Sequence, residues 1–170
     1  MRFPRRYHSA IHGNYRRAYL RCGLLVGVLL FLYILVRHLL GVPAEVPESY
    51  ATDGILLAAV FLLTLLYRNN LPEKQASLKE LMLFGIGTAV IASVLYGLLL
   101  WAFGLAVPAQ AALFATATTG ATPAPDDPQI HYWAAFVAIV AAVKLALIGS
   151  FGAFLAAVFF KNETNLIKQK

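Results

Sequence analysis

Four apolar stretches, near residues 22–40, 54–67, 81–105 and 133–160, leave this chain few ways to fold. A hydrocarbon core about 30 Å thick is crossed by roughly 20 apolar helical residues. Three of the stretches reach or approach that length. The second does so once Tyr50, Ala51, Thr52 and Asp53 join it. Backbone polar groups in lipid have no water to bond, so each span has to satisfy its own, and an α-helix does that within one segment. The period-two alternation of a membrane barrel strand is absent. Only 13% of residues are charged and 60% are hydrophobic, against roughly 25% charged in an average soluble domain. A globule of 170 residues could not bury that much apolar surface. The sequence therefore predicts an all-α integral membrane four-helix bundle. Spans are expected over about 22–40, 51–67, 79–105 and 132–160. They make a transmembrane domain 21–161 between a basic segment 1–20 and a tail 162–170.

The charges predict its orientation. Arg2, Arg5, Arg6, Arg16, Arg17 and Arg21 precede the first span, Arg68, Lys74 and Lys79 lie between the second and third, and Lys161, Lys168 and Lys170 follow the fourth. That puts 12 of the 14 basic residues on one side, while Glu45, Glu48, Asp53, Asp126 and Asp127 fall on the other. Lysine and arginine near span ends stay in the cytoplasm, so both termini and the 68–80 loop are expected inside, N-in/C-in. The net charge of +6 is thereby assigned to anionic lipid headgroups at the basic N-terminus, not to nucleic acid. Arg37 and His38 interrupt the approach to any cleavage site near Ala44, so the first run reads as a retained anchor. Cys22 stands alone and forms no internal disulfide.

Local signals place the connections. Gly41 and Pro43 end the first span, and Asn69, Asn70 and Pro72 read as a turn. Ser77-Leu78-Lys79-Glu80 is a capping box that launches the third helix. The 106–131 loop is rich in Pro, Ala and Thr, and Ala109–Ala117 could form a short interfacial helix. Tyr50, Trp101, Tyr132 and Trp133 suggest an outer aromatic belt, and Tyr15, Tyr19 and Tyr67 an inner one.

Chemistry is sparse. Ionisable side chains inside a span are costly and mark candidate sites. Counting about 1.5 Å per residue up from Arg21, Arg68 and Lys161 brings Arg37, Asp53 and Lys144 to similar heights, an expected charge cluster near the outer mouth. Ordinary roles compete: Lys144 can snorkel, Asp53 can cap the second helix, and Arg37 can meet headgroups. Gly85, Ala89, Ala92, Ser93 and Tyr96 on the third span, and Ala142, Ala146, Gly149, Ala153 and Ala156 on the fourth, recur at three- and four-residue spacing. Such stripes let helices approach closely in lipid. Lys144 points away from the small stripe of its helix. His8, His12, His38 and His131 fall on opposite sides of the membrane and form no metal set. No acid, base and nucleophile gather, so neither enzymatic activity nor a cofactor is expected.

One stretch resembles a known family. A Tyr-Arg pair closes the second span (Tyr67-Arg68), Ser77 opens the third, Gly85 follows eight residues on, and then come Ile91-Ala92-Ser93 and Tyr96, with Trp101 soon after. This pattern resembles the bacterial membrane family called domain of unknown function 4199. The family's Gly-Lys pair after the serine is replaced here by Lys79-Glu80, and its Gly-rich turn by Asn69–Gln75. The resemblance implies a four-span bacterial inner-membrane protein and carries over no catalytic residue. The expected role is that of an accessory or scaffold subunit working through helix–helix contact, as a homo-oligomer or in a larger membrane complex. The alternative is a small solute or ion transporter with a charged outer vestibule.

Overall fold

The computed structural model describes the backbone of residues 6–41, 50–70, 77–109, 112, 116, 120 and 129–167. It describes their side chains except those of 6–16 and 161–167. It is a bundle of four helices: α1 (Arg6–Leu39), α2 (Tyr50–Asn69), α3 (Leu78–Ala106) and α4 (Ile130–Ile167). All four are long and apolar enough to cross a membrane. Among the described residues there is no strand.

The helix ends follow from sequence chemistry. α1 stops where Gly41 takes φ +66°, a left-handed turn in which the Gly41 N–H donates to the His38 carbonyl at 3.0 Å. α3 starts at the capping box: the Glu80 N–H donates to Ser77 Oγ at 3.2 Å, and the Ser77 N–H donates to Glu80 Oε2 at 3.0 Å. Its last turn closes with the Val107 N–H on the Phe103 carbonyl at 2.9 Å, just before Pro108. Two helices outrun the expected spans. α1 is helical from Arg6 and α4 continues to Ile167. Charged residues do not stop a helix, and no proline lies within either segment to break it. The proposed Ala109–Ala117 helix and the 43–50 outer loop lie mostly outside the described residues. Thr116 Oγ1 does donate to the Ala112 carbonyl at 2.9 Å, and Ala112 packs with Ile130 and Ala134.

Contacts fix the helix directions. Gly23 of α1 lies against Thr88 and Ile91, and Gly27 against Ala92 and Leu95, so α1 and α3 run parallel. Gly85 lies against Ala153 and Gly97 against Ala142 and Ala138, so α3 and α4 are antiparallel. Gly149 meets Leu56, and Phe61 meets Phe160 with ring centroids 4.9 Å apart, so α2 runs parallel to α4. α1 therefore starts and α4 finishes at the same end. α3 is the central helix, packed most heavily on α4 and on α1; α2 lies against α4 and α3 and barely meets α1.

The two small-residue stripes face each other. A Cβ placed on Gly85 would stand 2.6 Å from the Ala153 Cβ, and one on Gly149 would stand 2.7 Å from the Ala89 Cβ. Backbones come that close only where side chains are absent or tiny. Ser93 is buried at the same interface and donates to the Ala89 carbonyl at 2.8 Å. Gly97 extends the seam, and Gly23 and Gly27 build a second one between α1 and α3. Large apolar side chains such as Leu29, Leu62, Leu98 and Phe151 turn outward on all four helices. That is the surface a lipid solvent calls for.

Candidate functional site: a polar node between three helices

Inside this apolar bundle, Asp53 Oδ2 and Lys144 Nζ lie 3.0 Å apart. Asp53 belongs to the first turn of α2 and so sits inside the helix, not at its cap. There its negative charge suits the positive end of the helix dipole. Lys144 comes from the side of α4 turned away from the Gly149–Ala153 seam, and that side faces α2. The pair is only partly shielded: the lysine side chain is 30% exposed and the aspartate 15%. Lys144 stands 12 residues from Tyr132 and 17 from Lys161, or about 18 Å and 25 Å along the helix. The node thus lies within the length of α4 but close to the start of α2, three residues after Tyr50.

The third helix contributes Tyr96. Its ring is fully buried on α3. Asp53 Oδ1 and the Tyr96 hydroxyl are both buried and have no hydrogen-bond partner among the described residues. Thr52, beside Asp53, is buried too. Farther along, the Thr64 hydroxyl donates to the Val60 carbonyl at 2.7 Å, so it is satisfied within its own helix.

Arg37 is set apart from this node. Its guanidinium stands over the Tyr33 ring, 5.8 Å from the centroid. The neighbouring His38 ring meets Phe103 edge-on at 5.2 Å. Phe103 lies seven residues beyond Tyr96 on α3, so Arg37 is roughly 10 Å nearer the end of the bundle where α1 stops. Of the expected three-charge cluster, Asp53 and Lys144 pair, and Arg37 packs over Tyr33 toward that end. The physical reason is register. Counting up from Arg21 treats it as the edge of the bilayer, but Gly23 packs at Thr88, ten residues into α3. Arg21 already stands inside the bundle's length.

The residues expected at the same belt make specific contacts. Tyr67 stacks on Phe84, with centroids 4.2 Å apart and planes 7° from parallel. Tyr19 packs on Gly87. Arg68, expected as a simple flank, is buried with its guanidinium 5.8 Å from the centre of the Phe160 ring. Tyr96 appeared in the sequence as part of a packing stripe and of the family-like pattern, and its buried hydroxyl is the polar group that sequence reasoning missed. A tyrosine on an otherwise Gly, Ala and Ser stripe was the available signal.

The arrangement can hold charge and orient a small polar group; it offers no nucleophile beside a base. Among the described residues, no three His, Cys, Asp or Glu side chains come together as metal ligands. A lipid-facing cavity of ≈ 290 Å³ between α3 and α4, bounded by Gly97, Trp101, Ala138 and Ala142, is lined wholly by apolar atoms. Compared with protein-family models, curated proteins and solved structures, the chain matches none.

Proposed function

We propose that this small multi-pass membrane protein is an accessory or scaffold subunit of a bacterial inner membrane, with both termini cytoplasmic, acting through helix–helix contact. The observation that carries this reading is the uneven coverage of its helices. Half of the α3 span is buried inside the bundle, but only 28% of the α1 span and 22% of the α2 span. The peripheral helices leave broad apolar faces outside the bundle, open to lipid or to the helices of another chain. The α3–α4 seam supports the same reading: Gly85 on Ala153 and Gly149 on Ala89 bring the backbones too close for a water-filled path between them. Purification in a gentle detergent, with cross-linking before extraction, tests the idea. A homo-oligomer or a defined co-purifying chain is expected. A monomer without partners under both conditions overturns it.

A second reading, a solute or ion transporter, draws on the Asp53–Lys144 pair, since intramembrane charge often lines a pathway. Loss of flux in Lys144→Ala proteoliposomes at unchanged stability would favour it over the scaffold role.

A further inference from the structure

The lipid-facing cavity between α3 and α4 is a groove, recessed where the residues are small. Gly97 and Ala138 are buried at its floor with Ala142 beside them, and Leu98, Trp101 and Ile139, 42–64% exposed, stand as its rims. Its lining runs from Val94 to Trp101 on α3 and from Ala135 to Ala142 on α4, about 10 Å along each helix. Its depth follows from the exposed apolar side chains of α3. They extend from Leu83 to Leu105, about 33 Å by the same rise and close to the thickness of a hydrocarbon core. The groove occupies the half of that slab toward the end where α1 stops, since α1 runs parallel to α3 and His38 meets Phe103.

We propose that this groove is a binding site for one acyl chain of a membrane phospholipid, taken from the leaflet on the side where α1 ends. Its lining is wholly apolar, and apolar cavities stay dry and take apolar ligands. Width selects the kind of apolar occupant. A volume of ≈ 290 Å³ spread over about 10 Å gives a mean cross-section of about 30 Å², against roughly 80 Å² for a helix about 10 Å across. An unbranched methylene chain at van der Waals spacing needs only roughly 20 Å². The groove therefore admits a lipid chain and is too narrow for the helix of a second copy. A chain lying in it touches the floor and both rims at once, and so gains more dispersion contacts than one resting on a convex helix face. Trp101 stands at the end nearer the headgroups, a depth that suits its amphipathic ring. The site is independent of the scaffold reading, which concerns the uncovered faces of α1 and α2.

The test uses the full chain, reconstituted in nanodiscs of phosphatidylcholine brominated on its acyl chains and then passed into a mild detergent. Trp133→Phe leaves Trp101 as the single tryptophan. Mass spectrometry is expected to find one phospholipid retained by each chain, and Trp101 fluorescence is expected to be quenched. Ala135→Leu, which puts a larger side chain into the groove from a half-buried position, should lose both signals. Ile139→Ala, which removes an exposed rim, should weaken both, and it decides the matter if Ala135→Leu does not fold. No retained phospholipid, or retention and quenching untouched by the variants that fold, overturns the site. Leu98→Cys with Cys22→Ser tests the other occupant, since Cys22 is the only native cysteine. No disulfide-linked dimer is expected in oxidised membranes. Its formation would show a second copy covering the groove and would also overturn the proposal.

Discussion

An ammonium and a carboxylate placed in lipid each lose several kcal/mol of hydration, and their mutual attraction offsets this only while both are present. The Asp53–Lys144 pair is therefore more sensitive to losing one member than to losing both. Lys144→Ala should leave the protein inserted but destabilise it by about 3 kcal/mol, because Asp53 is left without its ion-pair partner. Replacing both, Asp53→Leu with Lys144→Met, should recover most of that loss. Reversible unfolding in mixed detergent micelles measures both variants, and additive losses would contradict the coupling. Charges in apolar runs are conspicuous, which is why Asp53 and Lys144 could be singled out from sequence. Which charges meet depends on helix register, and that is set by glycine contacts such as Gly23 on Thr88. Hence Arg37 was misplaced. Tyr96 was hidden because one side chain serves equally as filler, belt residue or hydrogen-bonding group.

Among the helices, the α3–α4 seam is held by close approach more than by side-chain bulk. A methyl group at Gly85 would collide with the Ala153 Cβ, so Gly85→Ala should destabilise by about 1–3 kcal/mol through overpacking. Gly54 has open space where a Cβ would stand. Gly54→Ala should be neutral or stabilise α2 by up to about 1 kcal/mol. Thermal unfolding of the two variants side by side checks the contrast, and equal effects would contradict it. The start of α3 was legible because Ser77 and Glu80 announce it locally. The start of α1 and the end of α4 were not, because the apolar pattern reports lipid contact and is silent about where a helix continues into a polar flank. The Gly85, Ala89, Ala142, Gly149 and Ala153 stripes were legible, since small residues at helical spacing have one efficient use in lipid. Gly97, Gly23 and Gly27 escaped notice among larger neighbours.

For the molecule as a whole, the up-and-down order of four helices places the start of α1 and the end of α4 together. The cationic residues around them predict which side of the membrane that is. Reporter fusions at the amino terminus, after Asn70 and at the carboxyl terminus should all report the cytoplasm, and fusions after Gly41 or Gly120 the opposite side. Tails on different sides would defeat both the orientation and the scaffold proposal built on it.

The sparse contact between α1 and α2 also bears on synthesis. Two consecutive segments that share almost no interface cannot shelter one another as they leave the translocon. α1 has to wait in lipid for α3, and α2 for α4, the helix on which it packs most. The bundle is thus completed only with its fourth crossing, and α2 is the last helix to be secured.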